Sequence, residues 1–310
     1  MNIVLAVEEF AGLQLLKALA RSNRRIAAVL TTPPESAVAG GVTLWNVAKD
    51  LGLETLPAEL VKDPAFGERL RAEQVELLLN VHSLYIIHRD VLAAPRVGAF
   101  NLHPGPLPRY AGLNAINWAI YNGEKSHGVT VHKMEPGIDT GAIVYQMLFP
   151  IEDEDTGLTL NFKCTQKGVG LMLKLLETAS SRPDEIPLVP QDLSRRDYFG
   201  SSIPHNGSLS WPEPAENIVN FVRACDYFPF RSPWGHPATR LDGRELSVVK
   251  ASRTRLPSDA APGTVGQLSD TGALVAAADE WVLVKKLKIG SQYFAATDVL
   301  KSGHRLETSS

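Results

Sequence analysis

Two cysteines in 310 residues, Cys164 and Cys225, are too few for a disulfide framework. Both fall in helical patterns and read as reduced, packed thiols. No apolar run approaches the roughly 20 residues needed to cross a bilayer. The start, "MNIVLAVEEF", has no basic region and carries two glutamates, which argues against a signal peptide. These absences set the expectation of a cytoplasmic protein that does not enter a membrane. A surplus of either charge is missing too. Lys and Arg number 31 against 34 Asp and Glu, a net charge of −3. That balance argues against a partner held mainly through its phosphates. Repeats and low-complexity tracts are absent. So are the short ligand spacings of a metal site, which ranks a zinc centre from His82, His88, His103 and Asp139 low and leaves no metal expected.

What is present is ordinary globular composition, 44% apolar and 21% charged, in a chain long enough for two domains. "NIVLAV", "RIAAVLTT", "VELLLNV" and "VGAFNLH" are short apolar runs that suit buried parallel strands. Helical patterns alternate with them. "EFAGLQLLKALARSN" places Phe10, Leu13, Leu16 and Ala20 on one face, and "TLWNVAKDLG" stops at Gly52. The alternation predicts an α/β domain with a doubly wound, mostly parallel, Rossmann-like sheet and a site at the carboxyl ends of its strands. "DTGLTLNFKCTQKGVGLMLKLLE" reads as a long amphipathic helix with Leu158, Phe162, Val169, Met172 and Leu176 along one side. Residues 186–205, rich in Pro, Ser and charge, have linker composition. From 206 to 310 a helix, "PAENIVNFVRAC", precedes short strands split by Gly, Pro and Asp. These predict a smaller β-barrel domain of OB-like character. The expected boundaries are thus 1–185, 186–205 and 206–310.

The chemistry concentrates in "FNLHPGPLPRY", residues 100–110. Asn101 and His103 point to the same face of an extended strand. The prolines that follow fix φ and remove donors, so the strand ends with two polar groups held still. Further on come "AINWAIYNGE", then "HGVTVHKMEPGIDTG", which carries Asp139. Taken singly, an Asn, a His or an Asp before Thr-Gly is most often a turn or cap residue.

The ordered set, Asn-x-His-Pro, Leu-Pro, a Trp-containing helix, Gly-Val-Thr-x-His and Asp-Thr-Gly, resembles the folate-dependent formyltransferase family. The likeness is strong over residues 1 to about 180. Its extension to 310 looks like the carboxyl-terminal domain of methionyl-tRNA formyltransferases. It implies 10-formyltetrahydrofolate as co-substrate and Asn101, His103 and Asp139 as catalytic residues. Asn101 offers an uncharged donor to the oxygen that gains charge as an amine attacks the formyl carbon. His103 polarises that oxygen and moves a proton to the leaving folate nitrogen, while Asp139 orients His103 and takes up the amine proton. Leu84, Tyr85, Ile86 and Ile87 match the positions that present backbone groups to the pterin. Gly137 and Ile138 in "EPGID" match the other edge, with Gly137 free to take an unusual backbone angle. Leu84, Ile86 and Ile87 would serve equally as core.

The acceptor is read from departures. Many relatives carry Leu-Pro-x-Tyr-Arg-Gly, and here Ala111 stands in the arginine's place. The loop "TTPPESAVAGGVTLW" has no basic residue, whereas tRNA enzymes are basic there. Residues 206–310 hold 12 Lys and Arg against 11 Asp and Glu, with "KKLKIG" the sole dense basic run. This disfavours tRNA as a partner and favours a small or carrier-tethered amine, such as an amino acid, a hydroxylated ornithine-like amine or an amino sugar. "GPLPRYAGLNA" looks like the formylation enzymes of natural-product assembly lines. Arg109, Tyr110, Phe230, Arg231 and Trp234 are candidate acceptor contacts, and the stretch around Trp234 serves equally as a packing loop. Two alternatives remain: a methionyl-tRNA formyltransferase, and a 10-formyltetrahydrofolate hydrolase, whose members tend to lack the asparagine. A non-catalytic binding module predicts loss of one of the three catalytic residues, and all three are present.

Overall fold

In the computed structural model, residues 1–22, 24–34, 43–83 and 85–308 are described. The tip of the loop "TTPPESAVAGGVTLW", residues 35–42, and Leu84 therefore lie outside the described residues. The chain divides into two compact units. The first comprises Met1–Gly112, Gly128–Phe149 and Phe162–Tyr198. The second comprises Leu113–His127, Pro150–Asn161 and Phe199–Ser310.

The first unit is built on a seven-stranded sheet. Its strands are β1 (Asn2–Val7), β2 (Arg25–Thr31), β3 (Thr55–Pro57), β4 (Leu77–Val81), β5 (Gly98–His103), β6 (Ser126–Lys133) and β7 (Ile143–Pro150), in the order β3-β2-β1-β4-β5-β6-β7. The first five pair in parallel, and β6 runs antiparallel to β5. The strand order reverses at β1, so a crevice is expected beyond the carboxyl ends of β1 and β4. β3 was hidden from pattern reading because three residues carry no period. The apolar runs of β1 and β4 are buried throughout, except Asn2 and Asn80, as a sheet covered on both faces requires.

Helix α1 (Glu9–Ala20) buries Ala11, Leu15, Leu16 and Leu19; of the expected face Phe10, Leu13, Leu16 and Ala20 only Leu16 is buried, and Phe10 is 44% exposed. Gln14 and Lys17 share a side with Phe10 and Leu13 and mark it as the solvent face, opposite the stripe that packs on the sheet. The long helix spans Gly157–Ser181. Its buried stripe runs through Leu160, Cys164, Leu171 and Leu175 as well as Met172 and Leu176, while Phe162 packs edge-on against Phe10 at 5.3 Å. Both cysteines are buried free thiols.

The second unit carries an antiparallel sheet. Its strands Ala238–Leu241 and Arg244–Pro257 are joined at Asp242-Gly243, both with positive φ (50° and 74°), the dipeptide and geometry of a tight hairpin. No closed sheet forms among the described residues. The end strands Val265–Ser269 and Leu306–Thr308 approach through one isolated antiparallel bridge, Thr264 with Arg305. The second unit is thus a separate antiparallel sheet domain. Its edges are tied by backbone hydrogen bonds from Val265 to His304, Gly303 to Val265 and Leu306 to Gly263, without a continuous closed sheet among the described residues. Helix Ala215–Cys225 buries Ile218, Val219, Phe221 and Val222, and Trp211 donates its indole N–H to Thr239 Oγ1 at 2.9 Å.

Candidate functional site

Register sets the site. Asn80 on β4 stands opposite Asn101 on β5, and Asn101 stands opposite His132 on β6, so one row crosses three strands near their ends. Asn80 donates from Nδ2 to Asn101 Oδ1 at 2.8 Å. Asn101 Nδ2 lies 3.0 Å from His132 Nε2. His132 Nδ1 donates to the Lys133 carbonyl at 3.0 Å, and its Nε2 faces both Asn101 Nδ2 and Asp139 Oδ1. Among the described residues, the Asn101 amide nitrogen has His132 as its one hydrogen-bonding neighbour. Asn101 is half-buried, whereas His103 and Asp139 are 3% and 9% exposed. Asn101 is the member of the three that keeps the most access to solvent.

The loop after β6 brings Asp139 to this row. Its Oδ1 lies 3.3 Å from His132 Nε2 and its Oδ2 lies 3.4 Å from His103 Nδ1. Oδ2 also accepts the Gly112 backbone N–H at 2.8 Å. On its other side His103 Nε2 lies 2.6 Å from the Tyr110 carbonyl. A continuous polar chain therefore runs Asn80–Asn101–His132–Asp139–His103–Tyr110. Gly105 permits its last link, since a Cβ there would stand 2.7 Å from His103 Nε2 and 2.8 Å from the Tyr110 oxygen.

Burial pushes the His103 imidazole below its ordinary range, and the Asp139 charge and the Tyr110 carbonyl partly offset this. Burial works against the Asp139 charge as well. There His103, the His132 hydrogen bond and the Gly112 N–H prevail, and the carboxyl is held well below the usual carboxylate range. Both His103 ring nitrogens face oxygen acceptors. A protonated ring would have both N–H groups paired, one with Asp139 and one with the Tyr110 carbonyl.

The three catalytic candidates are thus brought together. His132 and Asn80 were given no role from sequence. His132 sits in the quoted "GVTVHKM", and the lone polar residue inside "VELLLNV" was the available signal for Asn80. Of the folate candidates, Ile87 is buried in the core with Val61, Phe66 and Val91, and Tyr85 packs against that cluster with Lys62 Nζ 4.5 Å from its ring. Ile86 is 77% exposed. Gly137 has φ of 130°, and Ile138 is exposed. Of the acceptor candidates, Arg109 pairs with Asp197 at 3.1 Å, and the Tyr110 side chain is buried. Phe230 and Arg231, in the second unit, are exposed. Trp234 is buried there among Trp118, Tyr121 and Phe221. Among the described residues no group of three His, Cys, Asp or Glu side chains could hold a metal.

Comparison with known proteins assigns the class. The formyl transferase model matches residues 1–176, and the formyl transferase C-terminal domain model matches 202–304. A methionyl-tRNA formyltransferase of Syntrophus aciditrophicus is 30% identical over 312 residues, covering 99% of this chain and 96% of its own length. The chain belongs to the formyl transferase family and is a formyl-transferring enzyme. The fold is shared with the sugar 3-N-formyltransferase WlaRD, solved with dTDP and 5-formyltetrahydrofolate. That match has a TM-score of 0.69 at 18% identity, covering 92% of this chain and 96% of the other. An N-formyltransferase of Helicobacter canadensis, solved with folinic acid and dTDP-3-aminofucose, aligns with a TM-score of 0.67, also at 18% identity, over 94% of this chain and 98% of the other.

Proposed function

We propose that this enzyme transfers a formyl group from 10-formyltetrahydrofolate to the amine of a small or carrier-tethered acceptor. The observation that carries the reading is the meeting of Asn101, His103 and Asp139 in one chain of polar contacts through His132. The amide of Asn101 would stabilise the formyl oxygen as the amine attacks. His103 would take a proton and pass it toward the departing folate nitrogen, its charge met by Asp139. Two family relatives solved with a formylfolate support the co-substrate. The pterin would be held along Tyr85, Ile86 and Ile87 and along Gly137 and Ile138.

Near-neutral charge over the carboxyl-terminal third supports the small acceptor, as do relatives of the same fold that act on sugars. Arg109 and Tyr110 on the loop after β5, and separately Phe230, Arg231 and Trp234 in the second unit, are the candidate acceptor contacts. This assigns the enzyme to natural-product or amino-sugar formylation in the cytoplasm, with domains at 1–185 and 206–310, the latter an incompletely closed barrel. A methionyl-tRNA acceptor is the second reading, favoured by 30% identity over nearly the whole chain.

The test is tetrahydrofolate release with 10-formyltetrahydrofolate and a panel comprising N5-hydroxyornithine, dTDP-3-aminofucose and methionyl-tRNA. Turnover with one of the two small amines is expected to exceed that with the tRNA. Faster turnover on methionyl-tRNA would overturn the acceptor assignment, and formate release independent of any amine would overturn transfer itself.

A further inference from the structure

Residues 186–205 have the composition of a linker, and residues 177–201 fall between the two matched family models. Yet part of this stretch is bonded to both loops that build the site. Val189 and Ile143 exchange backbone hydrogen bonds at 2.8 and 2.9 Å, tying the segment to β7. Gln191 then donates from Nε2 to the carbonyls of Asp139 (2.9 Å) and Gly141 (2.6 Å). Arg196 donates from Nη2 to the carbonyl of Ile138 at 2.9 Å. The next residue turns to the other loop. Asp197 accepts the Ala111 N–H on its carbonyl at 2.9 Å and meets Arg109 Nε with its carboxylate at 3.1 Å.

The two loops need such support. Asp139 and Tyr110 have φ of 55° and 59°, a region that side chains other than glycine rarely adopt and that persists only where the surroundings fix it. These two residues supply the oxygens on either side of His103, Oδ2 of Asp139 and the carbonyl of Tyr110. We infer that residues 189–197 form a strap that positions Asp139 and Tyr110 about His103, with Gln191 as the positioning residue on the Asp139 loop. The inference rests on the catalytic reading of His103 and Asp139 given above. Gln191 touches no reacting atom in this assignment and acts through Asp139.

The test uses the full-length protein, 10-formyltetrahydrofolate, and whichever of N5-hydroxyornithine and dTDP-3-aminofucose it turns over faster. Gln191→Ala and Gln191→Leu, which both remove the two N–H donors, are expected to lower kcat between about ten- and a hundredfold, the cost of misplacing a catalytic group. KM for the folate should stay within about twofold, as expected when ground-state binding is untouched. Arg195→Ala, exposed and between the bonded residues, should keep wild-type kcat. The double variant Gln191→Ala/Asp139→Asn should be no slower than Asp139→Asn, because residues acting as one unit do not add. Losses that multiply, or a Gln191→Ala kcat within about twofold of wild type, would overturn the strap.

A second measurement needs no acceptor. His103 faces Asp139, His132 and, further off, His82. In 15N-histidine NMR the His103 titration midpoint should move down in Gln191→Ala, since a displaced carboxylate supports the imidazolium less. Superimposable titrations would equally sink the inference. If Gln191→Ala does not fold, Gln191→Leu and Arg196→Ala carry the same comparisons. Should Asp139→Asn itself retain full activity, the catalytic reading fails; should only the Gln191 variants retain it, the strap alone fails.

Discussion

The row Asn80–Asn101–His132 and the ring cluster around Trp234 solve opposite problems. In the first, the half-buried Asn80 and Asn101 and the buried His132 are linked by polar contacts at strand ends through to Asp139 and His103. In the second, Trp118 stacks on Phe199 at 4.8 Å and meets Trp234 edge-on at 4.9 Å, with Tyr121 and Phe221 on Trp234's other contacts. The buried indole N–H groups of Trp118 and Trp234 have no hydrogen-bond partner in this cluster. The polar row contributes little apolar burial and fixes direction; the ring cluster fixes little direction and contributes burial. A sequence motif rich in aromatics can therefore mark a core, while one rich in amides and imidazole marks where chemistry is placed.

Two substitutions sharpen that contrast. His103→Ala and Asp139→Ala should each lower turnover at least about a hundredfold, the lower range for lost acid–base groups, measured as tetrahydrofolate release. Near-normal rates in either would end the distinction. Trp234→Ala should do the reverse. Emptying a site this buried is expected to cost about 3–5 kcal/mol of unfolding free energy in urea titration. Turnover of the protein that remains folded should change less than tenfold, or about 1.4 kcal/mol of barrier. A large rate loss with unchanged stability would move Trp234 from the core to the acceptor site.

How much of this was legible follows from the same contrast. The parallel strands β1, β2, β4 and β5 showed as apolar runs because both faces are covered. The three catalytic candidates showed because their motifs are ordered along the chain. The face of α1 was misread although Gln14 and Lys17 mark its polar side, because Phe10 and Leu13 put apolar residues on that side too. His132 gained its role only from the antiparallel register that sets it opposite Asn101, a long-range pairing with no local signature. Residues 186–205 read as linker because side-chain bonds to main-chain carbonyls, such as those of Gln191, leave no periodic trace.

The smallest expected effect separates the regions by pH. The His103 imidazole is held below its ordinary value in the folded protein, so between its folded and unfolded values the unfolded chain binds more protons. Stability from this residue is therefore complete above the unfolded value, about 6.5, and drains as pH falls below it. Asp139, also depressed, adds a loss at lower pH still, beginning near the unfolded carboxyl value of about 3.9 and continuing as pH falls toward its folded value. His103→Gln removes the first contribution, so its urea midpoint should fall less than that of the wild type between pH 6.5 and 4.5. Trp234→Ala has no titrating group to remove and should shift the whole curve down with its shape retained. Parallel curves for His103→Gln and the wild type would mean that burial does not set the state of this ring.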